Sequence, residues 1–200
     1  MAAVSDWGVA VLTRPGETAC GDRHVVQAFD GGVLVAVIDA LGHGEDAARV
    51  AEVAAQILIQ YAGETPASLI ARCHARLRST RGATISIACF DWHRRVMTWV
   101  GVGNVAGALI STVPGRASQI RSLLVRSGVV GDHLVEPRAS VLEIDADSVL
   151  VMASDGVRRD FTEMLPCAMA PQKLAQQALV RYATQDDDAT VLVFRCGGNC

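Results

Sequence analysis

Three aspartates in this chain stand where apolar runs meet polar residues. Asp39 closes VLVAVID, Asp155 closes SVLVMASD, and Asp187 lies in DDDAT just ahead of TVLVF. A carboxylate at the end of a buried strand is held in place and partly desolvated. Three that converge repel one another, and a hard divalent cation with oxygen ligands offsets that repulsion. Neither His nor Cys accompanies them, so Mg²⁺ or Mn²⁺ suits the set better than zinc. Each alone has a plainer reading; Asp155-Gly156 is a common turn pair. The three together, each abutting an apolar strand, point to a site.

Asp39 also opens a dense segment, Asp39-Ala-Leu-Gly-His-Gly44. Its two glycines let the backbone pass close to an ion or phosphate and turn into a helix, whose N-terminus adds partial positive charge. His43 is a candidate proton donor, with loop packing as the plainer role. Arg14 and Arg23 could reach a phosphate, although surface arginines are common. Cys89-Phe-Asp-Trp-His-Arg-Arg95 has the C-x5-R spacing of cysteine-dependent phosphatases. Such a loop needs small residues to form a backbone cradle, followed by a helix. Phe90, Trp92 and His93 fill this one, and a hairpin turn explains it better. There is no GxSxG, P-loop or HExxH.

The elements that must position these residues follow from periodicity. Residues 7–13 are apolar and β-like, and 33–38 suit a strand buried on both faces. Val50, Val53, Ala54, Ile57, Leu58 and Tyr61 recur at helical intervals, with Glu45 and Asp46 in the first turn and Gly63 as a stop. Thr65-Pro66 opens a second helix with Leu69, Cys73 and Leu77 on one face. Residues 84–90 and 96–102 read as a hairpin, and 105–111, 119–125, 141–144 and 148–153 as further strands. Pro171 starts a last helix with Leu174, Ala175, Ala178, Leu179 and Tyr182 on one face, and 190–195 closes as a strand. Strands in runs with helices grouped apart argue for an α+β layered fold.

Half of the 200 residues are hydrophobic, which suits one domain with a substantial core. The net charge of −3 leaves no basic footprint for nucleic acid. No apolar run is long enough to span a membrane, and the start MAAVSDWGVA does not read as a signal peptide. Cys20, Cys73, Cys89, Cys167, Cys196 and Cys200 show no paired zinc spacing and read as reduced thiols of a cytoplasmic protein.

VIDALGHG, ASDGV and DDDATVLV, in this order and at these separations, resemble the metal-dependent serine/threonine phosphatases of the PP2C type. CGD (20–22) and VGVGN (100–104) are similar to the bacterial branch that includes SpoIIE and RsbU. The resemblance covers nearly the whole chain. It implies an α+β fold, a PP2C-like four-layer αββα sandwich of two β-sheets flanked by helix pairs, with residues 1–200 as a single domain. It also implies two divalent cations, Mn²⁺ or Mg²⁺. Asp39 would bridge them, Ala40 would offer its backbone carbonyl, Asp155 and Asp187 would bind the second ion, and Asp22 would sit in or near the shell. Most relatives carry Gly at the position of Ala40; a carbonyl ligand survives the change if the backbone angles suit Ala.

The implied activity is hydrolysis of phosphoserine or phosphothreonine on a protein by an activated water, without a covalent enzyme intermediate. A bare phosphatase domain without a sensor resembles the RsbX-like subgroup, which acts on phosphorylated stressosome proteins. The expected partners are then phosphorylated STAS-domain proteins, with no nucleic acid and no membrane. Two alternatives stand beside this: a phosphatase of an anti-anti-sigma factor, and a binding module that keeps the fold without turnover. Segments 116–130 and 160–171 are the expected contact surface for substrate.

Overall fold

The apolar run at 33–38 becomes the middle of β3 (Gly32–Ala40), and its alternation decides which residue faces which layer. Leu34, Ala36, Ile38 and Ala40 join one buried cluster, and Val33, Val35 and Val37 join another. A strand apolar on both faces needs a cover on each side, and it has both. The computed structural model describes residues 6–111, 119–146, 148–164 and 169–197. Cys167 and Cys200, and residues 116–118 and 165–168 of the two expected contact segments, lie outside the described residues.

Two five-stranded sheets pack face to face. The first contains β2 (Asp22–Phe29), β3, β4 (Ala83–Asp91), β5 (Val96–Val102) and β8 (Ser140–Glu143), side by side in that order. The second has the order β1 (Asp6–Leu12), β10 (Ala189–Arg195), β9 (Val149–Ala153), β6 (Ala106–Ser111) and β7 (Gln119–Ser122). Every strand pair within the sheets is antiparallel. Helices α1 (Gly44–Gln60) and α2 (Pro66–Leu77) cover the outer face of the first sheet. Helix α3 (Pro171–Tyr182) covers the second, beside a short 3₁₀ turn (Arg159–Met164) that inserts Phe161. The αββα layering matches what the family resemblance implied, except that among the described residues a single α-helix, α3, and not a helix pair, covers the second sheet.

Between the sheets, Phe90, Trp92, Trp99 and Phe194 belong to one apolar cluster. The Phe90 and Phe194 rings are 4.8 Å apart, and the Trp99 indole donates to the Leu124 carbonyl at 2.8 Å. That bond satisfies the one polar atom of the largest fully buried side chain, as a buried indole requires.

The structure departs from the sequence reading in three local places. Strand β2 carries Arg23, His24 and Gln27 and only two fully buried positions, so its alternation is weak; it forms because its whole length pairs with β3. In α1 the buried stripe centres on Ala47, Ala51, Ala54 and Leu58, while Val53, Ile57 and Tyr61 are only partly buried. Alanines let the helix lie close on the sheet. Strand β7 stops at Ser122, short of the expected 125, although the buried Leu123 beyond it still bonds through its N–H to the Gly107 carbonyl at 2.9 Å. Thr65 caps α2 as expected, accepting from the Ser68 N–H.

Candidate metal centre

The inter-sheet face is apolar along most of each strand and turns polar at one end. On β3 the order is Val33, Val35, Val37, then Asp39. On β10, read backwards, it is Phe194, Leu192, Thr190, then Asp188 just outside the strand. On β9 it is Leu150, Met152, then Ser154. Register completes the row across the first sheet: Asp22 lies opposite Asp39, and Asp39 opposite Thr84. Directly paired residues of an antiparallel sheet point to the same face. The polar ends of both sheets therefore meet at one mouth of the sandwich.

Asp39 sits half-buried at this mouth. Burial pushes its carboxyl up to about 8 from an ordinary 3.8, with added repulsion from Asp22, Asp155 and Asp187. Asp22 is 3% exposed, and burial raises it to about 7, with Asp188 and Asp155 adding repulsion. Asp155 is raised as well, by burial first and then by Asp187. Asp39, Asp155 and Asp187, chosen from sequence because each borders an apolar strand, thus come close enough to feel one another. Asp22 joins them as the register partner of Asp39.

Ala40 continues β3, paired with Ala83, and its N–H bonds to the Gly21 carbonyl at 3.2 Å. Its methyl lies in the core beneath the helices, and its backbone is ordinary strand, so nothing at this position demands glycine. Gly42 and Gly44 are different: their φ values of 86° and 74° are left-handed and carry the chain from β3 into α1. Gly156 is also obligatory. A Cβ there would stand 2.1 Å from the Asp188 carbonyl, so the Asp155-Gly156 pair both turns and lets the strand beyond Asp188 close in.

Four supporting residues escaped the sequence reading. Asp188 is 4% exposed and accepts from the N–H groups of Arg14 at 2.9 Å and Gly21 at 2.7 Å. It pins the loop that leads into Asp22. Ser154 donates to Asp22 at 2.6 Å and accepts from the Thr190 N–H at 2.9 Å. Asn104 donates to Asp155 at 2.6 Å, and Thr84 donates to the Asn104 amide oxygen at 2.5 Å. Strand phase could have singled out Asp188, two residues before Thr190 on the inter-sheet face. Asn104 figured only as part of VGVGN, without a chemical role.

The basic candidates have other duties. The Arg23 guanidinium donates to the Cys20 and Asp22 carbonyls at 3.0 and 2.8 Å and pairs with Glu52. It braces the backbone behind Asp22 instead of pointing at the mouth. His43 precedes α1, and its Nδ1 lies 2.5 Å from Glu17, tying the helix start to the neighbouring loop. Cys89 sits in β4 within the β4–β5 hairpin, and burial pushes its thiol up to about 12. A thiol so raised is a poor nucleophile, and a strand follows it where the cysteine chemistry needs a helix.

The donor set fits a hard divalent cation. Its atoms are carboxylate oxygens whose mutual repulsion an ion would relieve. Among those residues no three His, Cys, Asp or Glu side chains are already closed around one metal-sized point. Asp155 is steadied by the Asn104 amide, which donates to it at 2.6 Å. Beside Asn104 a cavity of about 310 Å³ is lined by residues 122–125 together with Arg159, Phe161 and Thr162. Parts of both expected contact segments thus border one opening next to the carboxylates. No helix among the described residues is long and apolar enough to cross a membrane.

Comparison with known proteins agrees with this geometry. The family model of Stage II sporulation protein E (SpoIIE) matches residues 30–197. Phosphoserine phosphatase RsbX of Bacillus subtilis (strain 168) is 35% identical over 183 residues, which are 91% of this chain and 90% of that protein. A crystal structure of RsbX in complex with magnesium matches with a TM-score of 0.83 at 26% identity, covering 96% of each chain. A chain from structural work on the bacterial stressosome as a modular system adapted to secondary messenger signalling matches with a TM-score of 0.86, also at 26% identity, covering 96% of this chain and 99% of its own. With a polar mouth of aspartates in an αββα sandwich and a family match over most of its length, this chain belongs to the SpoIIE family of PP2C-type phosphatases.

Proposed function

We propose that this protein is a divalent-cation-dependent phosphatase that removes phosphate from serine or threonine on STAS-domain proteins of a stressosome. The observation that carries the reading is the convergence of Asp39, Asp155 and Asp187 at one mouth, where Asp155 and Asp187 both add repulsion at Asp39 and Asp187 adds it at Asp155. The similarity to phosphoserine phosphatase RsbX supports the reaction, and the stressosome chain among the structural matches supports the setting. Residues 1–200 act as one domain in this reading, because three core clusters share the strands of two sheets. A cytoplasmic location suits Cys20, Cys73 and Cys89, whose thiols are held protonated by burial.

Asp39, the Ala40 carbonyl, Asp155 and Asp187 would hold two cations, with Asp22 behind Asp39 in or near the shell. When bound, Mg²⁺ or Mn²⁺ supplies a water of lowered pKa and offsets charge on the phosphoryl oxygens. The chain's own residues do the positioning. Asn104, itself held by Thr84, orients Asp155. Ser154 fixes Asp22, and Asp188 locks the loop before it. Such outer partners keep ligands aimed before the ion arrives. The opening beside Asn104 is where the phosphorylated segment would lie.

The test is hydrolysis of p-nitrophenyl phosphate by EDTA-treated protein, with Mn²⁺ and Mg²⁺ titrated separately. Activity should be absent without metal and return with at least one of them; full activity after stripping rules the reading out. A competition among phosphorylated stressosome STAS proteins, a phosphorylated anti-anti-sigma factor and an unrelated phosphopeptide then assigns the substrate. Preference for the first is expected, and equal turnover of all three rejects the stressosome assignment.

A further inference from the structure

A second cleft lies at the same end of the molecule, between the start of α1 and the end of α2. It has a volume of about 330 Å³, and its lining includes Asp46, Arg49 and Val53 from α1, Arg76 and Leu77 from α2, and Arg81 from the loop beyond. Three guanidinium groups against one carboxylate give the cleft a formal charge of +2, in a chain whose net charge is −3.

The charges in this cleft do not cancel. Asp46 is shared, pairing with both Arg49 and Arg81. Arg76 makes no ion pair among the described residues. Val53 and Leu77 supply apolar wall, which lowers the local dielectric and strengthens any contact made there. Arg81 also donates to the Leu41 carbonyl at 3.2 Å, so the cleft is tied to the backbone two residues beyond Asp39. Arginine's planar fork matches a carboxylate or phosphate with paired hydrogen bonds. A plainer account exists for Arg76 alone, since a cation in the last turn of a helix favours the dipole. That account does not explain three arginines turned into one hollow.

We infer that this cleft is a docking subsite for an acidic side chain of the phosphoprotein substrate, set apart from the mouth that takes the phosphoryl group. The inference rests on the phosphatase reading above. The hollow is sized for one side chain and not for a helix. Its charge is opposite to the chain's own, so it selects an anionic neighbour of the phosphoresidue where bulk attraction cannot.

The experiment uses two phosphoserine peptides, identical except that one carries glutamates and the other glutamines around the phosphoserine. Binding to metal-free protein is read by fluorescence anisotropy, and p-nitrophenyl phosphate turnover with Mn²⁺ is measured in parallel. Wild type should bind the glutamate peptide about fivefold more tightly, the scale of one exposed ion pair. Arg76→Glu, and separately Arg49→Gln, should remove that preference and leave aryl phosphate turnover unchanged. A preference that survives Arg76→Glu, or that wild type lacks, overturns the docking subsite. Inorganic sulfate that changes aryl phosphate turnover in wild type but not in Arg76→Glu would assign the cleft to a free oxyanion and likewise overturn it. Failure of the phosphatase reading shows separately, as absent aryl phosphate turnover in wild type, while the anisotropy still decides the cleft.

Discussion

The two ends of the inter-sheet layer are built on the same strands with the same alternation, yet their energetics are opposite. Around Trp99, Phe90 and Phe194 the layer is dry, and each side chain lowers the free energy of the fold. Around Asp22, Asp39 and Asp155 burial and mutual repulsion oppose ionisation. The apolar centre needs nothing more to be stable. The carboxylate end is stable as charge only when something positive sits in it. A rigid sandwich thus holds in place carboxylates whose ionisation burial opposes, which is the stability–function trade expected of a binding site.

The sharpest way to break the comparison is to remove charge at the polar end while keeping shape. Asp39→Asn should lower metal-dependent turnover by about a thousandfold, the scale of losing a principal electrostatic contact. Asp155→Asn and Asp187→Asn should fall in the same direction but not further. Steady-state rates with saturating Mn²⁺ check this, and a fully active Asp39→Asn would show that the bridging position is misassigned.

The converse change attacks the apolar centre. Trp99→Ala should cost about 3–5 kcal/mol, since a buried indole leaves a cavity. Its Leu124 hydrogen bond is also lost. The melting temperature should drop by about 10 °C. Calorimetry on metal-free protein keeps ion binding out of the measurement, and a drop of only a degree or two would mean the layer can collapse around the gap.

Asn104→Ala probes the support of the polar end. Loss of an outer partner to a ligand costs about 10–100-fold in metal affinity or activity. The expected signature is a raised Mn²⁺ requirement with the fold intact. An unchanged metal titration would mean that Asp155 does not depend on the Asn104 amide.

Acidity offers a milder test. Asp39 and Asp22 have folded-state pKa values of about 8 and about 7, both above the ordinary 3.8. The folded state therefore binds these protons more tightly than the unfolded chain does. Their favourable contribution is complete below pH ~4 and is lost as pH rises through about 7 to 8. Metal-free Asp39→Asn should match wild type near pH ~4 and melt several degrees higher near pH ~8.5, because the amide cannot ionise. Equal melting temperatures at both values would mean that the carboxylates do not oppose one another.

The smallest effect should come from Cys89→Ser. Its thiol is held protonated in the β4–β5 hairpin, away from the carboxylate row. Turnover should stay within about twofold of wild type. A folded but inactive variant whose wild-type counterpart ignores EDTA would replace metal chemistry with cysteine chemistry.

Most of the architecture was legible because it rests on local rules. Apolar runs and their patterning marked nine of the ten strands, and Thr65-Pro66 and Pro171 marked helix starts that are found as expected. The exception, β2, is an edge strand whose polar residues blur the period, and only its pairing with β3 reveals it. The candidate ligands were legible for the same reason, since Asp39, Asp155 and Asp187 each interrupt or border an apolar run. Their supporters were not. Asn104 acts through a contact 51 residues away, Ser154 through one 132 residues away, and Asp188 through one 167 residues away.

The sequence by itself determined the layers, the strand ends at which the carboxylates stand and the oxygen-only chemistry they offer, because period and residue type are local properties. Tertiary structure alone decided that Asp22 lies opposite Asp39, that the Asn104 amide reaches Asp155, and that three arginines share one hollow beside Leu41. Register, sheet-on-sheet closure and helix placement set those distances. They depend on how whole elements pack, which no local window of the chain contains.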